Sequence, residues 1–140
     1  MPEESTSPDL VELVHRSVDA VNGRDFDQFA GFFGSDSVWD LSPMGLGIYE
    51  GSSAVRTFVE DWNGSYEEFE LALEEVLDVG NEVVLAVVVQ RARLTDSTAE
   101  VRMRYASVNS QAGGVFERIT NYTDIEEARA AAERLAQERG

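Results

Sequence analysis

There is no cysteine anywhere in the 140 residues, which removes disulfides, thiolate metal sites and cysteine nucleophiles together. There is one histidine, His15, and only 11 cationic side chains stand against 27 acidic ones, for a net charge of −16. A field of that sign repels a phosphate backbone, so nucleic acid is not an expected partner. Anionic membrane surfaces are disfavoured for the same reason. The longest apolar run, Val83 to Val89, falls far short of the ~20 residues a membrane-spanning helix needs. The opening Met-Pro-Glu-Glu-Ser-Thr-Ser has neither a cationic nor an apolar stretch, so it does not read as a signal peptide. With no disulfide to form, the expected compartment is cytoplasmic. Gly45 and Gly47 are followed by neither a helix start nor a lysine, so no phosphate loop is read there. No second histidine or carboxylate pattern joins His15 in a metal set, and no nucleophile motif supports a Ser-His-Asp triad. No metal and no cofactor are expected.

What remains is ordinary globular composition, 43% hydrophobic and 27% charged, in a chain of one-domain length spanning 1–140. About six residues at the start read as loose. Ser7-Pro8-Asp9 can cap and open a helix, and Leu10, Leu13, Val14, Val18 and Val21 then recur every three or four residues as one apolar stripe. Asn22-Gly23 ends it. Asp25 with Gln28 resembles a capping box for a short second helix carrying Phe26, Phe29, Ala30 and Phe33, stopped by Gly34. A short strand, Ser37 to Leu41, leads into a loop with Pro43, Gly45 and Gly47. A third helix starts near Ser52 with Val55, Phe58, Val59 and Trp62 on one face.

Beyond Asn63-Gly64 the period changes to that of strands. Phe69, Leu71 and Leu73 alternate with polar residues. Glu82 to Leu94 is continuous and β-branched, Thr95–Thr98 reads as a hairpin turn, and Ala99 to Asn109 follows. Ala112-Gly113-Gly114 turns the chain into Val115–Tyr122. Thr123, with Glu126 three residues on, caps a last helix whose apolar face is Ile125, Ala128, Ala132 and Leu135. Strands joined by tight turns are antiparallel, so the fold class is α+β: N-terminal helices, an antiparallel sheet and a C-terminal helix. Long strands twist, and a curled sheet with helices across its mouth encloses a cavity suited to a small hydrophobic molecule.

The order of elements and four local motifs resemble the SnoaL-like family of the nuclear transport factor 2-like superfamily. The motifs are Asn-Gly-Arg-Asp (22–25), Ser-Val-Trp-Asp-Leu-Ser-Pro (37–43), Tyr-Glu-Gly-Ser-Ser-Ala-Val-Arg-Thr-Phe (49–58) and Tyr-Thr-Asp-Ile-Glu-Glu-Ala-Arg (122–129). The resemblance implies a cone-shaped, highly curved sheet over a hydrophobic pocket, and commonly a homodimer through the sheet. It fixes no activity, because the fold hosts isomerases, cyclases, hydrolases, dehydratases and members that only bind. The isomerase's catalytic Asp falls at Leu41, and only a one-residue shift makes it Asp40. Its oxyanion-hole Tyr falls at Ser17, and its oxyanion-hole Asp near Arg104 or Ala106. That constellation is altered.

Asp40 is the catalytic candidate: flanked by Val38, Trp39 and Leu41, a desolvated carboxylate can serve as a base. If Trp39 and Leu41 face the cavity, however, Asp40 faces out or caps the Gly-rich loop. Trp39, Leu41, Phe58 and Trp62 are candidates for the pocket wall, with Trp62 at its mouth. A two-residue turn flanked by Thr95 and Thr98 pairs Arg91 with Arg102 and Arg93 with Glu100, with Arg104 on the same face. Those arginines read either as a grip on an anionic ligand inside the cone or as a solvated sheet end paired with acids. Met103, Tyr105, Ser107 and Asn109 share the other face with Val88, Gln90 and Ala92, suiting a pocket wall or a dimer surface. The family registration favours the dimer surface, turning Arg104, Ala106 and Val108 to the cavity; Tyr105 stays a ligand-contact candidate with Arg104 and Val108. The function expected is small-molecule binding. The alternative is an isomerase, cyclase, hydratase or hydrolase of an apolar molecule with Asp40 as general base.

Overall fold

The apolar stripe of the first segment becomes helix α1 (Pro8–Asn22), with Leu10, Leu13, Val14 and Val21 buried. The computed structural model describes residues 8–96 and 98–140. The loose start at 1–6 and the capping role of Ser7 therefore lie outside the described residues, as does Ser97 of the hairpin turn. Helix α2 (Phe26–Ala30) is capped as its sequence indicates, Asp25 accepting from the Gln28 amide at 3.0 Å. It stops at Gly31, earlier than the sequence suggests. Phe33 belongs instead to strand β1 (Phe33–Asp40), where its ring meets Phe116 at 5.2 Å between centroids. The strand skips register between Phe33 and Val38. There the Ser37 hydroxyl accepts from the Gly34 amide at 2.7 Å and donates to the Phe116 carbonyl at 2.5 Å. Burial of an aromatic ring against a sheet outweighs one more turn of a short helix.

A single 3-10 turn, Ser42–Met44, and a three-residue strand β2 (Ile48–Glu50) follow. The sequence pattern gave no hint of β2, which is too short to show a period. Helix α3 (Ser52–Gly64) leads into β3 (Tyr66–Gly80), β4 (Val83–Leu94), β5 (Glu100–Ala112) and β6 (Val115–Tyr122). Helix α4 (Ile125–Arg139) closes the chain. Its cap is Asp124, which accepts from the Glu126 and Glu127 amides, rather than Thr123.

The six strands form one sheet in the order β2-β1-β6-β5-β4-β3. Four of its pairings are antiparallel, but β1 runs parallel to β6, so the sheet is mixed rather than wholly antiparallel. Tight turns dictate direction only between consecutive strands, and β1 reaches β6 from the far end of the chain. The β4–β5 register agrees with the turn argument: Arg91 faces Arg102 and Arg93 faces Glu100. Strand β3 carries three register shifts against β4. Each such bulge bends a strand and tightens its twist, which curls this long edge around the helices.

Alternation along β4 and β5 sorts the side chains onto two layers. Val84, Ala86, Val88 and Tyr105 pack with α1, α2 and α3 in one core; Val83, Leu85, Val87, Ala106 and Val108 pack under α4 in a second. Four alanines of α4, Ala128, Ala131, Ala132 and Ala136, let that helix lie close on the sheet. The expectation that the Met103–Tyr105–Ser107–Asn109 face is a dimer surface is overturned, because it is the face the N-terminal helices cover.

The corner motif Asn-Gly-Arg-Asp has a structural task. The edge strand β3 leaves backbone groups unpaired. Asn22 supplies a partner at Leu71: its Nδ2 donates to the Leu71 carbonyl at 2.9 Å and its Oδ1 accepts from the Leu71 amide at 2.7 Å. Arg24 donates to the Tyr66 and Glu67 carbonyls at 3.2 and 3.3 Å. Replacing Asn22 with Ala strands both Leu71 groups and lowers unfolding stability by about 1–3 kcal/mol. Asn22→Asp keeps the acceptor alone and falls between. Urea denaturation of the three proteins checks the order.

Candidate functional site

Between the N-terminal helices and the inner face of the sheet lies a cavity of about 60 Å³. That is room for several waters or one small molecule, since a single water needs about 10–15 Å³ on this measure. Its apolar wall includes Val14, Val21, Phe29, Trp39, Trp62 and Val88. The rings of Phe29 and Trp39 meet at 5.5 Å, and those of Trp39 and Trp62 at 6.2 Å. Polar groups enter from both walls: Tyr105, Ser107 and Asn109 on β5 and Asn121 on β6 from the sheet, and Ser17 on α1 from the helices. Ser107 and Asn121 face one another across the strands.

These polar groups are only half satisfied by protein. Ser17 donates to the Val14 carbonyl at 2.7 Å. Asn109 Nδ2 donates to the Val84 carbonyl at 3.1 Å and to Ser107 Oγ at 3.0 Å, leaving the Ser107 hydroxyl hydrogen available. Trp39 Nε1 donates to Asn121 Oδ1 at 3.2 Å, so the Asn121 amide nitrogen is the end left over. The Tyr105 hydroxyl is without a hydrogen-bond partner among the described residues, and burial pushes its pKa well above the usual phenol value. It is a neutral donor at any physiological pH. The cavity thus offers uncharged donors and acceptors on a greasy wall, with no carboxylate or imidazole among its lining residues. The whole sequence contains no lysine, which leaves no side-chain amine for Schiff-base chemistry.

A second, larger hollow of about 570 Å³ opens at the mouth of the cone. Met44, Leu46, Phe58, Trp62, Val101 and Met103 line it, and Trp62 is the wall it shares with the inner cavity. Phe58 stacks on Tyr49 there at 4.4 Å.

Placement of the sequence candidates follows from these two spaces. Trp39, Trp62 and Tyr105 line the inner cavity; Phe58 lines the mouth only. Leu41 is wholly buried core and lines neither. Val108 lies under α4, and Arg104 projects outward to Glu74 at 2.6 Å. Turning Arg104 and Val108 to the cavity was wrong by one residue of alternation, which reverses every side chain of a strand. On the same outer face Arg91 lies near Glu70 and Glu100, and Arg93 with Glu67 and Glu68, while Arg102, opposite Arg91, is exposed to solvent. No anionic ligand is needed between them.

Asp40 is also on the outer side, aligned with Thr120 of β6 while Trp39 points inward. Its Oδ1 accepts from the Ser42 amide at 2.9 Å and the Ser42 hydroxyl at 2.6 Å, and its Oδ2 from Arg118 at 2.6 Å. It caps the 3-10 turn. The general-base assignment for a substrate in the cone is therefore corrected, since the carboxylate faces away from it. Burial opposes ionisation, but the Ser42 hydrogen bonds and the Arg118 charge outweigh it and hold the pKa below the ordinary carboxylate value. Ser107, Asn109 and Gln90 were legible only as an uncharged face. Asn121 gave no signal, because a lone Asn near a strand end is ordinary turn chemistry. Among the described residues no cluster of three metal-ligating side chains occurs, and no helix is long and apolar enough to cross a membrane.

A curved sheet wrapped over three helices around an apolar hollow is the nuclear transport factor 2-like, or cystatin-like, architecture. The chain belongs to the SnoaL-like domain family, whose sequence model matches residues 14–121. It is similar in structure to a protein of ketosteroid isomerase-like fold from Catenulispora acidiphila, in complex with trimethylamine: TM-score 0.72, 12% identity, 86% of this chain and 92% of that one. It is also similar to an LEH-like epoxide hydrolase of M. tuberculosis (TM-score 0.71, 18% identity, 91% and 92% covered). A third likeness is to an NTF2-like protein from Burkholderia pseudomallei (TM-score 0.71, 20% identity, 89% and 97% covered). At these identities the likeness is one of fold. No curated protein matches the sequence.

Asp40→Asn tests the capping role. A carboxylate whose folded pKa is depressed contributes stability above its unfolded pKa of about 3.9 and loses it as pH falls through the lower folded value. The variant should be about 1–2 kcal/mol less stable at pH 7, the half-exposed Arg118 adding little. The gap to wild type should close below about pH 4. Thermal melts across pH read this directly, and ligand binding in the cone should not change.

Proposed function

We propose that this SnoaL-like domain binds a small, neutral, mostly apolar molecule in the inner cavity. The observation that carries the reading is the convergence of Tyr105, Ser107, Asn109 and Asn121, each with hydrogen-bonding capacity the protein does not use, on the wall of an apolar hollow. Buried polar groups left unpaired cost stability, so a ligand or ordered water that pairs them recovers it. An ionised ligand would meet no countercharge there, and burying an unpaired charge is prohibitive. The trimethylamine complex of the Catenulispora acidiphila protein supports a small occupant in this fold.

Binding is favoured over an isomerase, cyclase, hydratase or hydrolase activity in the cone. Proton transfer needs a group that changes protonation near working pH, and among the described residues Tyr105 is the sole titratable side chain of the inner wall. Pairing of two copies through the sheet would have to use the outer face, where α4 covers the apolar strip and ion pairs occupy the rest. The binding reading does not depend on it.

Ala86, on the inner wall and 1% exposed, provides the test. In Ala86→Leu the added carbons fill the hollow. Acetone and 2-propanol, sized to the hollow, titrated into wild type and followed by amide chemical shifts, should saturate with changes centred on Ser107, Asn109 and Asn121. Acetate should not. Ala86→Leu should lose the response while keeping or slightly raising the melting temperature, because filling a void adds contacts without overpacking. Neutral probes that produce no saturable change in wild type, or that bind the variant as well, would sink the reading.

A further inference from the structure

The mouth of the cone contains an anomaly that the inner cavity does not explain. Gln90 stands on the inner face of β4, opposite Leu71 on β3 and Met103 on β5. It is 2% exposed, it lines the mouth hollow, and its Oε1 is buried with no donor. An orphaned buried acceptor is costly, and replacing a glutamine there with an apolar residue of like size would remove the cost. A carboxamide kept in that position points to a donor that arrives from outside the protein.

The surroundings define what carries that donor. Met44, Leu46, Phe58, Trp62, Val101 and Met103 make the walls apolar, and two of them are methionines, whose flexible thioethers adapt to varied shapes and favour aromatic faces. Leu46 and Val101 remain 39% and 42% exposed, so the rim is open. Asp61 is the one charged side chain among the described residues of the lining, and with a net charge of −16 the molecule disfavours anions.

We propose that the mouth hollow is a second binding compartment, for a flat neutral apolar ring bearing a hydroxyl or N–H donor that Gln90 accepts. Trp62 is the partition between this compartment and the inner one. Gln90 reaches the ring's donor by turning its terminal torsion, which is soft for a carboxamide. Selectivity here lies in the ligand's donor, whereas the inner cavity selects for small size and neutrality. The proposal goes beyond the preceding reading, because it concerns a separate compartment and stands on other residues, Trp62 alone being common to both.

Two probes of equal body separate the chemistry: 2-naphthol has a donor, and 2-methoxynaphthalene has only an acceptor. Calorimetry should show wild type binding 2-naphthol about tenfold more tightly, the worth of one well-made hydrogen bond. Gln90→Met keeps the volume and should bring the two affinities together by weakening 2-naphthol alone. Val101→Trp, at an exposed rim position, should weaken both compounds at least about fivefold by filling the hollow. Amide shifts on titration should centre on Gln90, Val101 and Met103.

Equal affinities in wild type, discrimination that survives Gln90→Met, or no binding by either naphthalene would each overturn the proposal. So would shifts confined to Ser107, Asn109 and Asn121, which would place the probe in the inner cavity. Failure of the inner-cavity reading shows separately, as silence toward acetone and 2-propanol with the naphthalenes still bound at the mouth.

Discussion

Alternation along β4 and β5 is the constraint on which every other feature depends. A strand presents successive side chains to opposite faces, and these two central strands are covered on both. One parity, Val84, Ala86, Val88 and Tyr105, meets the N-terminal helices; the other, Val83, Leu85, Val87, Ala106 and Val108, meets α4. Sheets covered on both sides read as unbroken apolar runs, which is why Val83 to Val89 has no polar interruption. The run ends where the helices end. Past Val89 the outer parity turns to Arg91 and Arg93, while the inner parity continues as Gln90 and Ala92. The place where the two covers stop is therefore written into a few residues of one strand, and it sets where the cone opens.

Charge follows the same division. The strand arginines Arg91, Arg93 and Arg104 stand on the uncovered part of the outer face and pair with Glu67, Glu68, Glu70, Glu74 and Glu100. Exposed pairs of this kind are individually worth little. They serve better to keep a long edge from pairing with other chains, since charge on an edge strand opposes strand addition. Arg129 reaches the same edge from α4, gripping Glu75 with two hydrogen bonds at 2.7 and 2.9 Å. With the cations committed outside, the interior is left with neutral polarity only.

Elements that repeat a period over many residues were legible in the sequence, and so was their class. Helices α1, α3 and α4 and strands β4, β5 and β6 come from stripes or runs long enough to average over exceptions. Strand β2 and the start of β1 were not legible, because three residues show no period and Phe33 obeys helical spacing as well as it fits a strand. The register Arg91–Arg102 followed from the turn alone. Which face of the sheet is inside did not follow from it, since a turn fixes pairing and leaves both faces open. Hence the family registration turns Arg104 and Val108 to the cavity and favours a surface for Ser107 and Asn109, with Tyr105 alone of the true wall kept as a ligand contact. Asp40 illustrates a different limit. Its neighbours in sequence are apolar, but those neighbours face inward, and the partners that fix its chemistry, Ser42 and Arg118, lie in a turn and on a strand nearly eighty residues away.

A neutral interior with spare hydrogen bonds is an unusual use of a core. Leucine or valine at positions 107, 109 and 121 would pack the same space with more buried apolar area and no hydrogen bonds to satisfy. The polar set is therefore a stability cost borne at one place, while the second core beneath α4 is built from alanine, valine and leucine with no such concession. Costs confined to one of two cores fit the proposed binding site better than a loosely made fold. The arrangement also limits what the site does. It can hold a molecule and orient it through Ser107, Asn109, Asn121 and Tyr105, but among the described residues its inner wall carries no side chain that changes protonation near neutral pH.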